Sequence, residues 1–135
     1  MNLSTNAILL YSIIGAVILT YFPYFFVAIA RVQAGADLSA PRAIFDKLPA
    51  YAQRATWAHQ NSFEALIIYT AAATMAYVTE VDSTWAMKAA IAFLLARFLF
   101  SVFYMLDIPL ARSLMFGIGS AASITLFVLS VLQLQ

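Results

Sequence analysis

Few residues in this chain could do chemistry, and they gather in three short stretches. In RATWAHQNSFEAL, residues 54–66, Arg54, Trp57, Asn61 and Glu64 recur at helical spacing. At about 100° per residue they fall on one stripe of a helix, and His59 points away from it toward a different neighbour. Lipid would penalise an amide and a carboxylate, so the stripe is expected to face a bundle interior or a wet cavity. It is either a polar seam that fixes helix register or the wall of a site for a polar ligand near the cytoplasmic face.

In ARFLFSVFYML, residues 96–106, Arg97, Ser101 and Tyr104 share a second helical face, with Asp107 one turn further on. An arginine inside an apolar segment demands a partner. Glu64 is the one carboxylate in the interior of any apolar segment, so an Arg97–Glu64 ion pair is expected, either architectural or part of a ligand site. The third stretch, DIPLARS, sets Arg112 and Ser113 at the start of another apolar segment. A guanidinium and a hydroxyl beside a helix N-terminus can hold an anion or a thiolate. The same pair also reads as a positive-inside anchor with a helix-start serine. Amide, carboxylate and guanidinium inside one bundle would suit a small zwitterionic ligand with several carboxylates.

The elements that must position these residues are four apolar stretches: residues 7–30, residues 63–78 with the polar lead-in 54–62, residues 86–106 and residues 114–134. About 20 residues cross the hydrocarbon layer as a helix, and the second stretch reaches that length with its lead-in included. The sequence therefore predicts an all-α membrane protein, one domain over 1–135, built as an antiparallel bundle of four transmembrane helices. Pro23 should kink the first of them. The segment GIGSAAS, residues 117–123, would permit close helix contact within or between chains.

Composition leads to the same place. Hydrophobic residues make up 64% of the 135 and charged residues 10%, against roughly 45–50% and about 25% in ordinary globular chains. Lipid must solvate much of this surface. A net charge of +1 with no basic run gives no electrostatic footprint for nucleic acid. The absence of cysteine excludes disulfides and thiolate chemistry of the chain's own, and one histidine with scattered carboxylates argues against a metal site. The first stretch lacks a basic n-region and is longer than a signal-peptide core, so it reads as a retained helix. Arg31, Arg42, Lys47 and Arg54 precede the second stretch and Arg112 precedes the fourth. The positive-inside rule then places the first and third linkers in the cytoplasm and both termini outside.

RATWAHQNSFEAL resembles the signature of the MAPEG family (membrane-associated proteins in eicosanoid and glutathione metabolism), in which Arg, then Ala-His, then Asn and Glu open the second helix. ARFLFSVFYMLDIPLARS likewise resembles the family's Arg…Tyr…Pro…Arg-Ser segment. The resemblance extends over essentially the whole chain and is of the bacterial type. It implies a homotrimer of four-helix bundles that binds glutathione as co-substrate between subunits near the cytoplasmic face. Arg54, His59, Asn61, Glu64, Arg97 and Tyr104 would hold glutathione or frame its pocket. Arg112, with Ser113 beside it, would stabilise the thiolate against a lipophilic small-molecule electrophile or lipid hydroperoxide delivered from membrane lipid. Where several eicosanoid-pathway members carry further arginines, this chain has Trp57 and Gln60. That departure leaves a second expectation beside the enzyme: a non-catalytic subunit of the same fold that stabilises or assembles a larger membrane complex.

Overall fold

The computed structural model describes residues 4–37 and 39–135, so residues 1–3 of the basic-free N-terminal tail lie outside the described residues. Four helices follow in order: α1 (Thr5–Gln33), α2 (Ala50–Val78), α3 (Thr84–Met105) and α4 (Pro109–Gln133), with a 3-10 turn at Phe45–Lys47 before α2. No strand occurs among the described residues. α1, α3 and α4 are each long and apolar enough to cross a membrane. α2 has the same 29 residues as α1, about 43 Å of helix, but its polar first half dilutes its hydropathy.

Two helix starts differ from the sequence reading by four residues or more. The lead-in from Arg54 is helical as expected, but α2 starts four residues earlier, at Ala50, because Pro49 ends the linker just before it. α4 starts at Pro109 rather than near residue 114, since proline is favoured in the first turn, where its missing N–H costs nothing.

Local chemistry explains the ends. Ser4 and Ser83 cap α1 and α3, their hydroxyls accepting from the Ala7 and Trp85 N–H groups at 3.2 and 3.1 Å. The first three helices stop in the same way. Ala36 N–H donates to the Arg31 carbonyl, Val81 to Ala76 and Ile108 to Phe103, each across a residue in the left-handed region. Those residues are Gly35 (φ 69°), Glu80 (φ 57°) and Asp107 (φ 62°). Only the first has the residue type that favours such a turn.

The bundle is small inside and large outside. The helix contacts are lined by alanine, including Ala52, Ala55, Ala58, Ala72, Ala73 and Ala76 of α2 and Ala86 and Ala90 of α3, all fully buried. Small side chains let helix backbones approach closely where lipid supplies no hydrophobic drive to associate. Ile18, Phe25 and Ile67 face outward at 65%, 63% and 71% exposure, as lipid-facing residues should. α1 packs on α2 and α3, and α4 on α3 and α2. Thr5 Oγ1 donates to Asp82 Oδ1 at 2.6 Å, tying the start of α1 to the α2–α3 turn. At the other end, Val27 and Ala30 pack against Leu48, Ala52 and Met105, so neighbouring helices run antiparallel. Tyr69 is buried in the middle, stacked 3.7 Å from Phe93 and hydrogen-bonded to Ser12 of α1.

Candidate functional site

Arg97 organises the centre of the bundle. At 5% exposure, it sends Nη2 to Asn61 Oδ1 at 3.0 Å and to Ser62 Oγ at 3.1 Å, both on α2. Its guanidinium carbon lies 4.1 Å from the centre of the Phe100 ring. The expected ion pair with Glu64 does not form. Asn61 stands between them and donates through Nδ2 to Glu64 Oε2 at 3.4 Å. The reason is register: Arg97 is level with Asn61 and Ser62, and Glu64, almost a turn further along α2, is exposed. A neutral amide thus relays between the two charges, and the Glu64 carboxylate keeps acceptor capacity for another group.

Asn61, Glu64 and Arg97 form the polar wall of a cavity of about 290 Å³ between α2, α3 and α4. The rest of its lining is apolar or small, with Ile68, Phe93 and Phe116 among it. Gly119 sits where a Cβ would come within 3.5 Å of Arg97 Cδ, so α4 lies directly against the arginine stem.

A second group gathers around the α3–α4 turn. Arg54 Nε donates to the Met105 carbonyl at 3.1 Å, and its Nη1 lies 3.6 Å from Asp107 Oδ2. Arg54 therefore fastens α2 to the end of α3 and does not line the cavity. Arg112 lies over the Tyr104 ring, 4.5 Å from its centre. Among the described residues its side chain has no hydrogen bond and no carboxylate partner. Ser113 is exposed and lies in the second turn of α4, too far in to serve as the helix-start serine. Trp57 has turned outward, 43% exposed, and packs on Phe45 with ring centres 5.7 Å apart.

His59 leaves the opposite side of α2. Its Nδ1–H donates to the Thr20 carbonyl of α1 at 2.7 Å, which leaves Nε2 as the acceptor of the neutral ring. Tyr24 and Phe63 flank it at 4.9 and 5.0 Å between ring centres. This side holds a cavity of about 430 Å³ that also meets Arg31, Arg42 and Gln60. Arg31 Nε is buried and has no hydrogen-bond partner among the described residues. The sequence reading used Arg31 only as a topology signal. Its spacing of seven from Tyr24 and four from Val27 would have placed it on the face of α1 that lines this cavity.

The eight residues singled out from the sequence thus divide. Asn61, Glu64 and Arg97 meet at one cavity; Arg54, Tyr104 and Arg112 surround the adjacent turn; His59 faces another cavity across α2; Ser113 joins none of these. Searches among curated proteins and among solved structures gave no match. The MAPEG family model matches residues 8–132, from the first turns of α1 nearly to the end of α4, and the chain belongs to that family.

Proposed function

We propose that this integral membrane protein is a glutathione-dependent transferase or peroxidase acting on lipophilic electrophiles or lipid hydroperoxides. The observation that carries the reading is the Arg97–Asn61–Glu64 relay opening onto an apolar cavity of about 290 Å³. Such a wall offers donors for a carboxylate and a carboxylate for an ammonium, side by side against a surface suited to a lipophilic molecule. That volume lies at the lower end of ligand pockets, roughly 300–1,000 Å³. This favours a site completed by another copy of the chain, and we include a homotrimer with four crossing helices in the reading. Arg31, Arg42 and His59 on the opposite face would then be available to a neighbouring site.

Glutathione, when bound, supplies a thiol whose thiolate is the nucleophile. Arg112 lies over the Tyr104 ring and has no carboxylate partner among the described residues, so its charge is available to favour the ionised sulfur. Arg97 and Asn61 would hold a carboxylate of the tripeptide, and Glu64 its ammonium. Arg54 keeps the turn that carries Tyr104 and Arg112 in register with α2. Trp57 and Gln60 add no charge, and this favours one rival: a non-catalytic member of the same fold.

A glutathione titration in mild detergent, followed by thiolate absorbance, tests the reading. Saturable binding with a thiolate signal is expected. Arg112→Ala should abolish the signal while binding persists. A folded wild type that binds no glutathione at millimolar concentration would leave the non-catalytic reading standing.

A further inference from the structure

A smaller cavity lies on the other side of Arg97. Its volume is about 10 Å³, and Ala16, Leu19, Thr20, Ser62, Phe93 and Arg97 contribute to its lining. A single water needs about 10–15 Å³ and two to four polar partners. We propose that this cavity is a water site beside Pro23, and that its water accepts a hydrogen bond from the Arg97 guanidinium.

The partners can be counted. Pro23 is fully buried inside α1 and has no N–H to give the Leu19 carbonyl. Thr20 donates its hydroxyl hydrogen to the Ala16 carbonyl at 2.9 Å, which leaves its oxygen free to accept. Ser62 Oγ donates to the Ala58 carbonyl at 2.8 Å and already accepts from Arg97. Arg97 spends only Nη2 on Asn61 and Ser62, so among the described residues Nε and Nη1 have no protein acceptor. A water here accepts one N–H from Arg97 and donates to the Leu19 carbonyl and to Thr20 Oγ. Three hydrogen bonds are typical of an internal water.

The site has a structural consequence. His59 holds the Thr20 carbonyl from one face of α2, and Arg97 reaches Asn61 and Glu64 on the other. With the water in place, the polar seam runs from the His59 cavity through α1 to Arg97 and on to Glu64. It also accounts for how an arginine is buried among apolar helices with no direct carboxylate partner. This proposal stands apart from the glutathione reading and survives its failure.

A high-resolution structure of the full chain in lipid tests it directly. Density for one water is expected about 3 Å from the Arg97 guanidinium and from Thr20 Oγ; a dry cavity overturns the proposal. Two variants give an independent reading. Thr20→Val keeps the shape and removes a partner, so it should lose the density and lower the unfolding midpoint. Ala16→Val adds methyl groups toward the cavity. Filling a dry void would raise the midpoint, whereas expelling a bound water from Arg97 lowers it. A raised midpoint for Ala16→Val with unchanged Thr20→Val would sink the idea.

Discussion

Truncating Asn61 and truncating Arg97 should have unequal consequences, because only one of them strands a buried charge. Asn61→Ala removes an acceptor from a guanidinium that is 5% exposed. Hydrogen bonds to charged groups contribute about 1.5–3 kcal/mol, and the abandoned charge keeps its desolvation cost. Arg97→Met removes the charge itself, leaving Ser62 bonded to the Ala58 carbonyl and Asn61 bonded to Glu64. Apolar replacement of a buried ionic group is often neutral or stabilising. Chemical unfolding in detergent should therefore show a loss of about 2 kcal/mol for Asn61→Ala, and a smaller change for Arg97→Met. The double variant should resemble Arg97→Met alone, a coupling that separates the shared contact from two independent ones. Additive losses would mean that Asn61 acts elsewhere. The sequence made the need of Arg97 for a partner plain, because an intramembrane arginine is costly in any geometry. It could not reveal which partner, because charge type points to Glu64 and only the relative height of α2 and α3 selects Asn61 and Ser62. Arg31 shows the same limit: its charge was visible, and the cavity its buried nitrogen adjoins was not.

The helix stops carry a different kind of information. Non-glycine residues in the left-handed region cost roughly 1–2 kcal/mol, and Glu80 and Asp107 both occupy it. Glu80 is exposed, with no side-chain hydrogen bond among the described residues, so Glu80→Gly should relieve strain and stabilise by about 1 kcal/mol. Asp107 differs in being 3.6 Å from Arg54. Asp107→Gly relieves similar strain, loses an exposed pair worth about 0–1 kcal/mol, and frees Arg54. Its net effect should be near zero. Thermal melts of the two variants side by side measure this; equal gains would mean the Arg54 contact contributes nothing. Four helices were readable from apolar runs because lipid demands about 20 apolar residues wherever a helix crosses. The stops after Val78 and Met105 were readable as the ends of apolar runs, at 78 and 106, but the left-handed turns that make them were not, since glycine, their usual signal, is absent from both. The start of α2 at Ala50 was hidden for the opposite reason. Its first turns are polar, and composition alone marked them as linker.

Across the molecule, charge is sorted by end. Arg31, Arg42, Lys47, Arg54 and Arg112 all lie at the end where α1 stops, α2 begins and α3 turns into α4. The opposite end, tied by Thr5 to Asp82, carries Glu80 and Asp82, and its one basic residue is Lys88, held 4.8 Å from the Trp85 ring. Asp37, Asp46 and Asp107 share the basic end, but orientation follows lysine and arginine rather than net charge. The basic end should therefore face the cytoplasm. The sequence contains no cysteine, so one introduced thiol is the only target for a membrane-impermeant maleimide. Ser39 and Thr84 are exposed at opposite ends, and neither makes a side-chain contact that the fold depends on. Ser39→Cys should label in inverted vesicles and be silent in intact cells, and Thr84→Cys should do the reverse. The opposite pattern would put the α3–α4 turn, with Arg112 and Tyr104, on the outer face. There the reducing cytoplasmic pool of glutathione could not reach it, and the proposed activity would fall with the orientation. Labelling of both sites from one side would instead mean that α2 does not cross. That outcome would remove the bundle geometry that brings Asn61 to Arg97.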